Sequence, residues 1–367
     1  GVRLCAEPGA YLYRFDTELE FLVPDGTRVQ LDAPGLSGAG EVTDHDPGLG
    51  VVECLVRENL GEFVPEALLA FESTLLLELF ASRLEAIERE ASNPRGEGKA
   101  RLERAMAFLS GQATPGAPVE VSRSGLSGSQ QRAVSFLLGQ QIGYLWGPPG
   151  TGKTRTVAHL VHELAARGER VLLTAHTNVA TDNALLRFLG EGQLEPGKVI
   201  RVGYRSEALR AFGVGLDDVV HDRLVARQPE LVREVRALCA EVAEALPDYP
   251  HELLSNKLPV GRALRIAADL AGRIEQPEPR LPARLAGMTA SIEDVERELL
   301  AGASVVASTL TGLYTNKLLR ELRTDALVLD EASIASLALC LLAAWSAQKR
   351  AIAVGDFLQL PAIVQAE

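Results

Sequence analysis

The sequence predicts an α/β protein: a parallel sheet with helices on both faces, reached through a β-rich N-terminal region and a pair of helices. Three observations carry the prediction. Six short apolar runs (143–146, 171–175, 199–202, 304–307, 326–329 and 352–354) each end in small or polar residues, and helical stretches such as 154–166 and 178–189 separate several of them. That is the pattern of buried parallel strands with crossover helices. The first run leads straight into a glycine-rich loop that opens a helix. Between residues 205 and 300 the strand signals vanish, and helical patterns rich in Ala, Leu, Arg and Glu take over, broken at Pro247, Pro259 and the prolines from Pro277 to Pro282. Such a block reads as a helical insertion into the α/β unit.

The elements follow in chain order. Residues 11–15, 19–23 and 28–31 are rich in β-formers, with Pro24-Asp25-Gly26 as a turn, while 40–43 and 51–56 flank a loop at 44–50. Strands this short, packed together, predict a small β-barrel over residues 1–63; an irregular β-rich cap fits them as well. From Val64 the period changes. Leu77, Phe80, Leu84 and Ile87 recur at three- and four-residue steps, Asn93-Pro94-Arg95-Gly96 breaks the stripe, and residues 99–109 resume it. This predicts an antiparallel helical stalk over 64–110. Residues 111–128, rich in Gly, Pro and Ser, read as a linker. The α/β unit then occupies 111–205 and 301–367, with 206–300 inserted.

The chain has 367 residues, 47% hydrophobic and 23% charged, which excludes disorder over most of its length. Its longest apolar runs, such as 337–345, fall short of the ~20 residues of a membrane span, and Arg3, Glu7 and Arg14 interrupt any signal-peptide core. The start at Gly1 rather than Met leads us to expect a natural start upstream. Cys5, Cys54, Cys239 and Cys340 form no C-x-x-C pair, which argues against a zinc site or a disulfide scaffold and suits the cytoplasm. The net charge of −12 is unevenly spread: residues 1–100 hold 8 basic and 19 acidic side chains, and the other 267 hold 29 and 30. A near-neutral domain can carry a basic groove, so the global charge excludes no nucleic-acid partner.

Three stretches carry chemistry. Gly147-Pro148-Pro149-Gly150-Thr151-Gly152-Lys153-Thr154 matches the phosphate-binding loop pattern in full, between an apolar strand and a helix. Its glycines let the backbone wrap phosphates at a helix N-terminus, Lys153 reaches the β- and γ-phosphates, and the Thr154 hydroxyl takes one Mg²⁺ position. Val328-Leu329-Asp330-Glu331 ends a buried strand in two acids, a costly arrangement unless a cation meets them. Asp330 would hold Mg²⁺, and Glu331 would activate the attacking water. Gly355-Asp356-Phe357-Leu358-Gln359-Leu360-Pro361 follows another apolar strand, and the Gln359 amide can bond a γ-phosphate and a carboxylate at once.

These residues resemble the first motor domain of a superfamily 1 helicase, in the branch that contains the nonsense-mediated-decay helicase. Six stretches match in order. Ser127-Gly128-Ser129-Gln130-Gln131-Arg132-Ala133-Val134 resembles the Q motif, and residues 147–154 resemble motif I. Thr174-Ala175-His176-Thr177-Asn178-Val179-Ala180-Thr181-Asp182 resembles motif Ia, and Ser308-Thr309-Leu310-Thr311 the next strand-contacting motif. Asp330 to Ser333 and Gly355 to Pro361 resemble motifs II and III.

The resemblance implies a RecA-like P-loop NTPase fold with an accessory barrel, a stalk and an inserted helical subdomain. It implies ATP and Mg²⁺ as ligands, with Gln130 reading adenine and Gly147, Pro148, Pro149, Gly150, Thr151, Gly152, Lys153, Thr154 and Arg155 holding the nucleotide. Lys153, Glu331 and Gln359 become the catalytic set, with Thr154 and Asp330 on the metal. Thr177, Asn178 and Thr309 would touch single-stranded nucleic acid, DNA in preference to RNA, with 5′-to-3′ movement. The family commonly has Gln where this chain has Ile334. The chain ends just past motif III, so a second motor domain that supplies γ-phosphate arginines is expected elsewhere, and this chain alone is expected to turn over weakly. The alternative is an ATP-binding switch or scaffold that does not translocate, docking through its acidic N-terminal third.

Other residues read as structural. His159 and His162 lack a third ligand and read as a partly exposed helix face. His176 reads as packing or backbone contact rather than catalysis, and Trp146 as strand core, with a place near the base as the alternative. Lys257, Arg262, Arg265, Arg273, Arg280 and Arg284 face three acids over 257–284, either a solvated helix face or a nucleic-acid rim.

Overall fold

The structure, a computed structural model, describes residues 1–356 except 8–9, 18–22, 24–27, 47–49, 72–73, 94–95, 113–115, 122–124, 193–194, 196, 204, 246–257, 272–273 and 275–277. The expected strand over 19–23 (all but Val23), the turn at 24–26, Pro94, Arg95, Pro247, Lys257, Arg273 and motif III from Phe357 onward, Gln359 included, lie outside the described residues.

The N-terminal strands are β1 (Val2–Glu7), β2 (Ala10–Asp16), β3 (Arg28–Ala33), β4 (Leu36–Asp46), β5 (Val51–Val56) and β6 (Leu68–Phe71). They form one antiparallel sheet in the order β1-β2-β5-β4-β3-β6. Alternate residues turn to one face, where Tyr13, Phe15, Val29, Leu31, Val42, Val52, Cys54 and Val56 make its core. The sequence reading lacks β1 and β6. Leu68–Phe71 is a four-residue apolar run beside a helix, and periodicity cannot tell such a run from a helical start. The sheet therefore continues past residue 63.

Helices α1 (Thr74–Ser92) and α2 (Gly98–Ser110) follow. Phe80, Leu84 and Ile87 of the expected stripe face inward, joined by Leu76 and Leu79, while its first member, Leu77, is exposed. Gly98 is required at the α1–α2 contact, since a Cβ there would lie 2.0 Å from the Glu90 carbonyl oxygen. The linker is fastened down over 116–121. Gly116 and Gln140 exchange two hydrogen bonds of 3.1 Å each, and the Val119 N–H donates to Ser135 O at 2.9 Å.

The second sheet comprises β7 (Ile142–Trp146), β8 (Val171–Ala175), β9 (Val199–Arg201), β10 (Val305–Thr309), β11 (Thr324–Leu329) and β12 (Ala347–Gly355). All its pairings are parallel, in the order β7-β12-β11-β8-β10-β9. Period-two alternation splits its side chains between two cores. Leu173, Val305, Val328 and Ile352 pack with α3 (Gly128–Leu138), α4 (Lys153–Ala166) and α5 (Asn178–Gly190). Leu172, Ile200, Val306 and Leu327 face the other way. They meet α2, α7 (Leu216–Arg227), α8 (Pro229–Ala245), α9 (Val260–Ala271), α10 (Leu281–Gly302) and α13 (Leu337–Ser346). The short α6 (Glu207–Arg210) precedes α7, and α11 (Gly312–Thr315) and α12 (Lys317–Glu321) follow β10. Helices α6 to α10 thus stand in the chain between β9 and β10. No helix among the described residues is long and apolar enough to cross a membrane.

The helical pair is tied to this sheet by charge. Glu90 of α1 faces Arg83 at 3.6 Å, Arg101 at 3.3 Å and Arg323 at 3.4 Å. Arg101 also lies 4.0 Å over the Trp345 ring of α13 and donates to its carbonyl at 2.7 Å.

Candidate nucleotide and nucleic-acid site

Parallel strands place every loop that follows them on one edge of the sheet, and ligands of such sheets bind beyond the carboxyl ends. The described candidate residues other than Gln130 stand on or just after strand ends on that edge. Loop 147–152 follows β7 and Asp330-Glu331 follows β11, with β12 and Asp356 between them. Thr177 and Asn178 follow β8, and Thr309 ends β10.

The loop after β7 takes its shape from glycine. Gly150 and Gly152 have φ of +81° and +80°, the left-handed region that side chains avoid. A Cβ on Gly147 would sit 2.7 Å from Thr151 Oγ1. Thr151 Oγ1 donates to Pro148 O at 2.8 Å, and the Lys153 ammonium donates to Gly147 O and Pro148 O. Thr154 is half-buried in the first turn of α4.

Gln130 joins α3 to this loop. Its Oε1 accepts the Ser127 N–H at 3.0 Å, its own N–H donates to Ser127 Oγ at 3.3 Å, and its Nε2 donates to Thr151 O at 3.2 Å. The first two bonds form a capping box, so the residue expected to meet a base also fixes the helix start.

Asp330 is buried, and burial together with the Glu331 charge pushes its carboxyl up to about 6, against the pull of the Glu331 N–H and of Lys153. Its Oδ1 accepts that N–H at 2.9 Å, and its own N–H donates to Thr174 O of β8 at 2.9 Å. Glu331 is exposed and has φ +51°, the only positive φ of a non-glycine among the described residues. Such backbone costs of order 1 kcal/mol and collects at functional sites.

Arg155 is held by Glu191 at 3.4 Å, and Glu191 also faces Arg187 at 3.0 Å and His159 at 3.3 Å. This corrects the reading of the two histidines as a partly exposed face. His159 and His162 are both buried between α4 and α5, and His162 stacks on Phe188 with ring centroids 4.0 Å apart. Trp146 is also corrected. It is half exposed on edge strand β7, and its Nε1 donates to Asp356 Oδ1 at 3.1 Å. His176 is exposed, which corrects the packing half of its reading. Arg265 pairs with Asp217 and Glu296, and Arg284 with Glu241, so these two arginines of the basic stretch are spoken for by acids.

Thr177 is exposed and caps α5, its hydroxyl accepting the Ala180 N–H at 3.1 Å. Asn178, the first residue of α5, accepts from Arg201. Thr309 is buried, and its hydroxyl accepts the Gly312 N–H at 3.2 Å. The sequence reading gave no role to Arg201 and Glu191, lone charges beside apolar runs, and none to Asp182 and Asp356 individually, although both stand in the stretches that resemble motifs Ia and III.

Residues 125–367 match the family described as AAA domain. DNA-binding protein SMUBP-2 of Rattus norvegicus is 29% identical over 262 residues, 69% of this chain and 24% of that protein. DNA polymerase alpha-associated DNA helicase A of Schizosaccharomyces pombe is 25% identical over 243 residues, 66% of this chain and 33% of that protein. ATP-dependent helicase NAM7 of Saccharomyces cerevisiae is 29% identical over 242 residues, 65% of this chain and 20% of that protein. The chain thus spans a third or less of the length of these relatives.

Proposed function

The chain belongs to the AAA domain family and to the superfamily 1 helicases similar to the nonsense-mediated-decay helicase, and on that premise we propose that it is the first motor domain of an ATP-driven translocase on single-stranded nucleic acid. One observation carries the reading. The glycine loop after β7 and the buried Asp330 after β11 stand on the same sheet edge, close enough for the Lys153 charge to act on the Asp330 carboxyl.

The residues fit a magnesium nucleotide. Two left-handed glycines shape a cradle, and a buried carboxylate pushed up to about 6 is one that a divalent cation would relieve. The cradle of Gly147, Pro148, Pro149, Gly150, Thr151 and Gly152 would wrap the phosphates. Lys153 would exchange its bonds to the loop carbonyls for the β- and γ-phosphates. Thr154 and Asp330 would hold Mg²⁺, which when bound draws charge off the phosphates. Glu331, exposed beside them, would orient the attacking water and accept its proton. Gln130 and Arg155 would bound the base end, and Gln359 would sense the γ-phosphate.

Thr177, Asn178 and the end of β10 at Thr309 would meet the nucleic acid, mostly through phosphate and sugar. We favour DNA, the ligand in the names of two of the relatives above. We assign residues 1–63 to an accessory barrel, 64–110 to a stalk, 111–205 and 301–367 to the motor, and 206–300 to an insertion. The separate core of the N-terminal sheet supports the first boundary, with β6 carrying that sheet a few residues past it, whereas the insertion shares one core with the motor sheet. A cytoplasmic setting suits the thiols of Cys54, Cys239 and Cys340, which burial pushes up to about 12, 11 and 11.

Lys153→Ala tests the site. Binding of a fluorescent ATP analogue should be lost, and binding at wild-type strength would overturn the reading.

A further inference from the structure

Two charges stand at the wrong ends of their helices. Arg155 is the third residue of α4, whose N-terminus disfavours a cation, and Glu191 caps the C-terminus of α5, which disfavours an anion. The fold brings the two together, with Arg155 Nε facing Glu191 Oε1 at 3.4 Å. The same carboxylate faces Arg187 of α5 at 3.0 Å and the buried His159, one turn further along α4, at 3.3 Å. The Glu191 side chain is 19% exposed and that of Arg155 39%, so water screens the pair only in part. An acid that meets basic groups from two helices is pinned, and it pins Arg155 in turn.

What Arg155 is held against decides its use. A Cβ built on Gly125, which has φ +100°, would lie 3.5 Å from a terminal nitrogen of Arg155. Gly125 leads through Ser127 to Gln130, whose Nε2 donates to Thr151 O at 3.2 Å and would meet a Cβ on Gly152 at 2.5 Å. The guanidinium and the amide therefore both lie where residues 125–130 run against the glycine loop and the first turn of α4. We propose that Glu191 is a positioning residue: it sets the Arg155 guanidinium at the base end of the nucleotide, to bear on the adenine ring rather than on the triphosphate. A guanidinium whose charge is already answered by a carboxylate is a poor phosphate clamp, but its plane still packs on an aromatic ring. The inference rests on the nucleotide reading of Arg155 given above.

The test sets a ligand with a base beside one without. Displacement of a ribose-labelled fluorescent ATP analogue from the full chain gives the affinities of ATP and of inorganic tripolyphosphate, each with Mg²⁺. Glu191→Gln keeps the size but not the charge, and should weaken ATP about 5-fold while leaving tripolyphosphate within about 2-fold. A bare charge effect would tighten both ligands, and a loosened loop would weaken both. Either of those outcomes would overturn the proposal.

Glu191→Asp keeps the charge and shortens the arm by one methylene, so it should split the two ligands in the same way, and it decides the matter if Glu191→Gln does not fold. In an Arg155→Ala background, Glu191→Gln should cost ATP less than about 1.5-fold more, since nothing remains to position. Losses that simply add would sink the idea. An unchanged ATP affinity in Arg155→Ala itself would instead refute the reading of Arg155 on which the proposal stands.

Discussion

At the scale of single residues, the two acids that end β11 have opposite environments and therefore separable roles. Asp330 is buried and raised to about 6, whereas Glu331 is exposed on a left-handed backbone. Exchanging the exposed acid for its amide should leave nucleotide binding intact and lower turnover about 10²–10⁴-fold, the usual contribution of a positioned base. Steady-state ATP hydrolysis by Glu331→Gln in a protein that carries a second motor domain as well, set beside binding of a fluorescent analogue, checks both halves; unchanged turnover there would remove Glu331 from its role. Residues such as Gly150, Gly152 and Lys153 were legible because steric and charge demands fix their type at a fixed spacing. Arg201 was not, because Asp182 and Asn178 are brought to it only by the fold. Thr309 read as a strand contact, yet its hydroxyl is turned inward to the Gly312 N–H, which a four-residue motif cannot reveal.

At the scale of elements, two buried groups give the N-terminal sheet and the helices between β9 and β10 opposite responses to pH. His45 of β4 accepts the Val23 N–H at 3.0 Å, and burial lowers its pKa from 6.5 to about 4. The N-terminal sheet therefore holds its neutral form, and that contribution is present above pH 6.5 and lost as pH falls toward 4. Glu296 of α10 is raised from 4.5 to about 7, by burial first and also by Asp217 and Glu293, while Arg265 pulls it down. A carboxyl raised in the folded state stabilises most below pH 4.5, and that stability is lost as pH climbs through 7. Glu296→Gln should raise the melting midpoint at pH 7.5 by roughly 2–5 °C and change it little at pH 4.5. An equal shift at both values would refute the assignment. Strands β8, β9, β10 and β11 were legible as apolar runs because both their faces are covered. Strand β6 was hidden because a short edge strand and a helix start look alike in sequence.

At the scale of the whole molecule, the charge imbalance and the sheet edge make a joint prediction. Binding to single strands should weaken steeply with salt, as phosphate contacts release counterions, even though the chain carries a net charge of −12. If the γ-phosphate arginines come from a second motor domain, this chain should bind ATP yet hydrolyse it negligibly, with or without an unstructured oligonucleotide. Brisk, strand-stimulated turnover would show that the site is complete as it stands. The order β7-β12-β11-β8-β10-β9 gathers the proposed nucleotide residues on three neighbouring strands and the proposed strand contacts on the next two. The border between them is crossed by the Asp330 N–H to Thr174 O bond, made entirely of backbone. Backbone does not mutate. A lineage can therefore redraw the tips of β8 and β10 to grip a different polymer while inheriting the same engine, and the seam between engine and grip survives each exchange.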